Sequence, residues 1–262
     1  MGFVDVDGVR MHYVQQGTGE DVVLLCGLGD DSSAWDAQVA AFSAGRRVTV
    51  LDNRGVGRSS LPDGAFTVRD MAADTAGVMD ALGITRAHVA GFSMGGAIAQ
   101  QLTLDRPDLV RSLVIVGSWC RADRIFSETI RGAAWMAGVA DEARPFLYPF
   151  NAWVYSPAVF ADGRNDEFVE AALAAPYPQE TEAFQRTAIA ILEHDTRDRL
   201  HEIGVPTLVV VGAVDLLCPP RHSREIAERI RGARLVEVPD QAHQPFQEGP
   251  EAFNALALEF WG

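Results

Sequence analysis

Long apolar runs are missing from this 262-residue chain. No stretch approaches the roughly 20 apolar residues that a helix needs to cross a bilayer. Residues 1–8 lack the basic start and apolar centre of a secretory signal, and already read as strand. Cysteine is scarce as well: Cys26, Cys120 and Cys218 are odd in number and far apart, which excludes a disulfide framework and a C-x-x-C metal site. These shortages together lead to the expectation of a cytoplasmic protein. Positive charge is in deficit, giving a formal net charge of -14. Long-range repulsion then opposes an encounter with nucleic acid or an anionic membrane surface, and neither is expected as a partner. There is no internal repeat, low-complexity tract or flexible linker.

What is present is a globular composition, 48% hydrophobic and 22% charged, on a chain long enough to bury one sizeable core. Residues 9–15 alternate like a strand. Four continuous apolar runs follow, at 22–26, 48–51, 88–92 and 113–116. Runs without alternation predict strands covered on both faces, the habit of parallel sheets. Between them the spacing predicts a helix over 67–82, with Val68, Met71, Ala72, Thr75, Val78, Met79 and Leu82 on one stripe. Thr67 and Asp70 resemble a capping box, and Gly83 stands where a C-terminal glycine belongs. A second helix is expected from Ser93 to Pro107. Strand and helix in this alternation mean a mainly parallel sheet with right-handed crossovers.

The rhythm breaks at 118–203, where helix-like pieces are interrupted by prolines and more than half of the aromatic residues gather. This segment is read as a helical lid, or cap, inserted into an α/β core made of 1–117 and 204–262. The strand pattern resumes at 207–212, followed by a helix at 221–231, a strand at 234–238 and a last amphipathic helix at 250–261.

The strongest chemical signal is Gly91-Phe92-Ser93-Met94-Gly95 between a strand and a helix. A serine hydroxyl is a poor nucleophile unless it is exposed, oriented and next to a base. A sharp strand-to-helix turn provides the exposure at the cost of a strained backbone, and glycines leave room for it. Neither this turn nor 55–60 gives the G-x-G-x-x-G pattern of a dinucleotide site. Of the six histidines, His12, His88, His194, His201 and His222 sit where histidines are structural or solvated. His194, Asp195 and His201 match no metal-ligand spacing. His243 instead follows the strand 234–238 in a loop, on the same sheet edge as Ser93. Asp215, just past the strand 207–211, can hold the imidazole in the useful tautomer, with Asp240 and Asp123 as rivals. The carbonyl oxygen needs two backbone donors; the N–H groups of Met94 and Leu28 are the candidates.

The order Ser93, Asp215, His243, together with Cys26-Gly27-Leu28-Gly29, Trp35, Asp52-Asn53-Arg54-Gly55-Val56-Gly57-Arg58-Ser59 and Ala242-His243, resembles the α/β-hydrolase superfamily over essentially the whole chain. Within it the chain is similar to the esterase and lactonase group that includes 3-oxoadipate enol-lactonases. One departure is Cys26, where the family commonly has histidine at the oxyanion turn. The resemblance implies an acyl-enzyme mechanism with no metal or organic cofactor, and a structural role for 52–59.

The expected function is therefore hydrolysis of a small-molecule carboxylic ester or lactone, with Ser93, Asp215 and His243 catalytic and the protein a monomer or homodimer. A carbon–carbon bond hydrolase of the same fold and a triad-bearing ligand receptor are the alternatives. Lid aromatics Trp119, Trp135, Phe146 and Trp153 are candidates for the substrate pocket. Arg121, Arg124 and Arg131 are read as solvated surface.

Overall fold

Eight strands form one sheet in the computed structural model, which describes residues 1–140 and 142–262. They are β1 (Gly2–Val6), β2 (Val9–Gln16), β3 (Glu20–Leu25), β4 (Arg46–Leu51), β5 (Ala87–Phe92), β6 (Val110–Val116), β7 (Thr207–Gly212) and β8 (Arg234–Val238). Their spatial order is β1-β2-β4-β3-β5-β6-β7-β8. β2 pairs antiparallel with β1 and with β4, and every pairing from β4 to β8 is parallel. The chain leaves β3 towards β4 on one side and later returns to place β5 on the other. A crevice opens outside the carboxyl ends of two strands where the winding reverses, and ligands of open α/β sheets bind there. The ends of β3 and β5 are thus the favoured position for a site.

The continuous apolar runs have a direct structural cause. In β3, Val23 and Leu25 enter one buried cluster with Met71, Val78 and Ile98, while Val22, Leu24 and Cys26 enter another with Trp35, Phe42, Phe246 and Trp261. From Val22 onward both faces of the strand are in a core, so no position there is left for a polar residue. Each fully buried aliphatic or aromatic side chain contributes roughly 1.5–3 kcal/mol of transfer free energy. Helices α1 (Asp36–Phe42), α10 (Pro245–Glu248) and α11 (Pro250–Trp261) cover one face. Helices α2 (Val68–Ala81), α3 (Met94–Asp105) and α9 (Pro220–Arg229) cover the other.

The capping box of α2 is formed: the Asp70 N–H donates to Thr67 Oγ1 at 3.2 Å, and the Thr67 N–H donates to Asp70 Oδ2 at 2.7 Å. Gly83 takes the left-handed conformation, φ 66°, that stops the helix. Helix α3 ends at Asp105, two residues before Pro107, which could not continue it. The turn of 3₁₀ helix at Ser32–Trp35 and α1 behind it are additional to the expected elements.

Among the described residues between β6 and β7 lie five α-helices, α4 (Arg124–Val139), α5 (Arg144–Val154), α6 (Pro157–Ala161), α7 (Arg164–Leu173) and α8 (Thr181–Leu192), and a turn of 3₁₀ helix at Leu200–Glu202. Two of the prolines that break the pattern here open helices instead of interrupting them. Pro145 and Pro157 stand in the first turns of α5 and α6, where their missing N–H costs nothing.

Candidate active site

Ser93 caps the N-terminus of α3 directly after β5, at φ 53° and ψ -120°. A non-glycine residue in this region stores on the order of 1–3 kcal/mol of strain, so its surroundings must hold it there. They do so through its backbone. The Ser93 N–H donates to the Val116 carbonyl at 2.8 Å, and its carbonyl accepts from the Ser118 hydroxyl at 2.8 Å. The glycines are required by space: a Cβ on Gly91 would collide with the Gly95 carbonyl, and one on Gly95 with the Leu25 carbonyl.

His243, in the loop after β8, and Asp215, after β7, are each about 2% exposed. They meet through His243 Nδ1 and Asp215 Oδ2 at 2.8 Å. The other carboxylate oxygen of Asp215 accepts from the Leu217 N–H at 2.9 Å and the Cys218 N–H at 2.8 Å, so the acid cannot rotate away from the ring. His243 Nε2 is buried with no hydrogen-bond partner among the described residues. The rival acids lie elsewhere. Asp123 caps α4 and pairs with Arg221, and Asp240 is an exposed turn residue at φ 59°.

Two glycines that sequence reasoning passed over make this pairing possible. Gly117, at φ 50°, follows β6. A Cβ there would lie 2.8 Å from the His243 carbonyl, 3.2 Å from His243 Nδ1 and 3.4 Å from Asp215 Oδ2. Gly212 ends β7, and a Cβ on it would strike the Gln241 and Ala242 carbonyls. The only sequence signal was a glycine at the end of a strand, which many turns share. The end of β6 thus ties the two halves of the site together, since Val116 holds the Ser93 N–H while Gly117 abuts the imidazole.

The turn after β3 supplies the other wall. The Leu28 N–H is not engaged by any backbone or side-chain acceptor among the described residues. The Met94 N–H begins α3 and so has no intrahelical partner. Asn53 Nδ2 donates to the Cys26 carbonyl at 3.1 Å, and Asp52 accepts from the N–H groups of Ser32 and Arg58 and pairs with His12 at 2.7 Å. Segment 52–59 therefore acts as a brace that fixes the β3 turn. Burial pushes the Cys26 and Cys218 thiols well up, which leaves both as neutral packing groups. Asp30, two residues beyond Leu28, has its carboxyl raised to about 7, first by burial and then by neighbouring Asp31, with His243 acting in the opposite sense.

The four aromatic pocket candidates are dispersed. Trp119 is wholly enclosed in the core, its ring 4.4 Å from Phe126, and its carbonyl is held by Gln100. Trp135 is 67% exposed, because α4 buries the face of Phe126, Ile130 and Ala133 and turns Trp135 outward. Phe146 and Trp153 join an aromatic group with Phe150 and Phe184. Phe184, on α8 and unforeseen, reaches the turn after β3: its ring lies 3.5 Å from where a Cβ of Gly29 would be. The end of α5 also touches the site, since the His243 N–H donates to the Val154 carbonyl at 2.9 Å. Among the described residues no cluster of three or more His, Cys, Asp or Glu is arranged to hold a metal. Nor is any helix long and apolar enough to cross a membrane.

A profile of the alpha/beta hydrolase fold family matches residues 21–250, and the chain belongs to that family. It is 35% identical to the "Putative carbamate hydrolase RutD" of Azorhizobium caulinodans over 96% of this chain and 95% of that one. The enol-lactonase from Burkholderia xenovorans LB400 superposes with a TM-score of 0.91 at 29% identity, covering 99% of both chains. A hydrolase from Pseudomonas aeruginosa PA01 superposes with a TM-score of 0.90 at 30% identity, over 100% of this chain and 98% of that one. The expected fold and the likeness to the esterase and lactonase group are both met. These likenesses identify a hydrolase enzyme.

Proposed function

We propose that this enzyme is a serine hydrolase that cleaves a carboxylic ester or lactone of a small molecule through an acyl-enzyme. The observation that carries the reading is the buried His243–Asp215 pair, 2.8 Å apart, at the same sheet edge as a serine held in a strained strand-to-helix turn. Ser93 Oγ attacks the carbonyl carbon while His243 Nε2 takes its proton. Asp215 keeps the ring in the tautomer that leaves Nε2 free to accept, and stabilises the imidazolium that forms. The negative charge gathers on the carbonyl oxygen, which the Leu28 and Met94 N–H groups receive. Each such donor lowers the barrier by roughly 3–4 kcal/mol. The leaving oxygen departs with the proton from His243. Water then enters and loses a proton to His243 as it attacks the acyl carbon, and His243 returns that proton to Ser93 Oγ as the acid leaves.

In this reading 118–203 is a lid over a core of 1–117 and 204–262, and the group of Phe146, Trp153 and Phe184 shapes the acyl pocket. The carbamate and enol-lactone named for the relatives present the same kind of acyl carbon to such a serine. A fluorophosphonate probe tests nucleophile and reactivity together: the label is expected on Ser93 and absent from Ser93→Ala. A label on another residue, or none on a folded protein, sinks the proposal.

A further inference from the structure

Asp30 is a carboxylate that neither the fold nor the proposed catalytic steps use. It stands on the oxyanion turn, half-buried, with Oδ2 3.1 Å from the position a Cβ of Gly27 would take, so it folds back towards the turn that carries the Leu28 N–H. No hydrogen bond or ion pair engages it among the described residues. The titratable groups around it are Asp31 on its own turn, the Cys26 thiol at the end of β3, His243 from the β8 loop and Tyr155 beyond α5. The Tyr155 phenol is itself pushed up by burial and by the Asp30 and Glu248 carboxylates. Five arginines, from the segment between β6 and β7 and from the start of α9, are committed to other partners. Arg121 is on Asp195, Arg144 on Glu170, Arg164 on Asp162, Arg186 on the Pro62 carbonyl and Arg221 on Asp123.

We infer that Asp30 is a specificity-determining residue of this site, selecting esters or lactones whose acyl part is uncharged or cationic and rejecting those that carry a carboxylate. The inference rests on the serine-hydrolase reading and adds the substrate class to it. An anion brought beside a carboxylate that has no hydrogen-bond or ion-pair partner among the described residues meets repulsion that bulk water would screen.

A matched pair of substrates tests this: the para-nitrophenyl ester of pentanoic acid and the para-nitrophenyl monoester of glutaric acid, which differ by a carboxylate in place of a methyl group. At pH 8 the wild-type kcat/KM for the anionic ester is expected to be roughly tenfold or more below that for the neutral one. The anionic-to-neutral ratio is expected to rise as pH falls through about 7, where Asp30 takes up its proton. Asp30→Asn is expected to raise the ratio at pH 8 by about tenfold and to abolish its pH dependence. An unchanged ratio in Asp30→Asn, with Ser93 still labelled by fluorophosphonate, overturns the inference and leaves the hydrolase reading standing. Wild-type protein that hydrolyses neither ester and takes no label at Ser93 overturns both. Should Asp30→Asn fail to fold, the wild-type ratio against pH decides alone, and a flat ratio is the overturning result.

Discussion

At the edge of the sheet the chemistry-bearing side chains are enclosed and tethered, with Asp215 and His243 2% exposed and Ser93 7% exposed. On the helices between β6 and β7 the picture changes: Trp135 and Ile189 stand 67% and 61% exposed, and the aromatic group around Phe150 is only partly buried. The sheet edge is defined by main-chain bonds and by glycines whose absent side chains let backbones touch. The helices are joined to it by a few ties, chiefly the Val154 carbonyl on the His243 N–H and the Glu248 carboxylate, which accepts from the N–H groups of both Ala242 and Ser156. The contrast teaches a division of labour. Reaction geometry must hold to fractions of an ångström and is built where nothing can give. Under the proposed function, selection among substrates falls to a surface that can vary without disturbing the reacting groups.

If that division is right, the largest effect comes from the edge. Ser93→Ala is expected to lower ester turnover by roughly 10⁴-fold or more, with the far-ultraviolet circular dichroism unchanged; residual activity close to wild type would erase the distinction. Asp215→Asn is expected to cost about 10⁴-fold in kcat, because the wrong tautomer is then favoured. Full activity in that variant would move the acid role to Asp240 or Asp123. Gly117→Ala forces a side chain against the His243 carbonyl and needs a left-handed φ. It is expected to destabilise by about 1–3 kcal/mol and to reduce kcat as well, measured by thermal unfolding alongside kinetics.

On the helical side the effects shrink and change character. Phe184→Ala is expected to shift kcat/KM between short and long acyl chains by roughly 10–200-fold, read from a series of aryl esters, while the rate of fluorophosphonate labelling at Ser93 moves much less. Trp135→Ala is expected to change stability by no more than about 0.5 kcal/mol and kcat/KM not at all; a large kinetic effect there would mean that α4 reaches the substrate.

Asp30 lies between the two regions, and its stability linkage sharpens the comparison. Its carboxyl titrates near 7 when folded against an ordinary value of 3.8, so the folded state holds the proton that the unfolded state has released. Stability therefore falls as pH rises from about 4 to about 7 and is level above that. The thermal advantage of Asp30→Asn over wild type is expected to grow between pH 5 and pH 8 by a few degrees. An advantage independent of pH would remove the titration.

Much of the architecture was legible because its causes are local. Double-sided burial writes continuous apolar runs, as in β3 and β5. The capping box of Thr67 and Asp70 and the glycine at 83 mark α2 at both ends. Ser93 was legible because strand, glycine-flanked serine and helix must follow one another for such a turn to exist. The contact of Phe184 with the turn after β3 was hidden for the opposite reason: its neighbour Gly29 is far away in sequence, and an aromatic residue on an amphipathic helix looks the same whatever it faces. The outward position of Trp135 was hidden on the same grounds, since aromatic content does not say which face of α4 is covered.

By itself the sequence determined which residue types could react and in what chain order, together with the strand and helix rhythm, because these depend on backbone propensity and periodic burial over neighbouring residues. Only the tertiary structure decided that Asp215 rather than Asp123 or Asp240 meets His243, that Gly117 and Gly212 clear the way, and that Asp30 folds against the turn after β3 with no partner among the described residues. Those are contacts between segments distant in the chain, and their energies exist only once the sheet has brought the strand ends together.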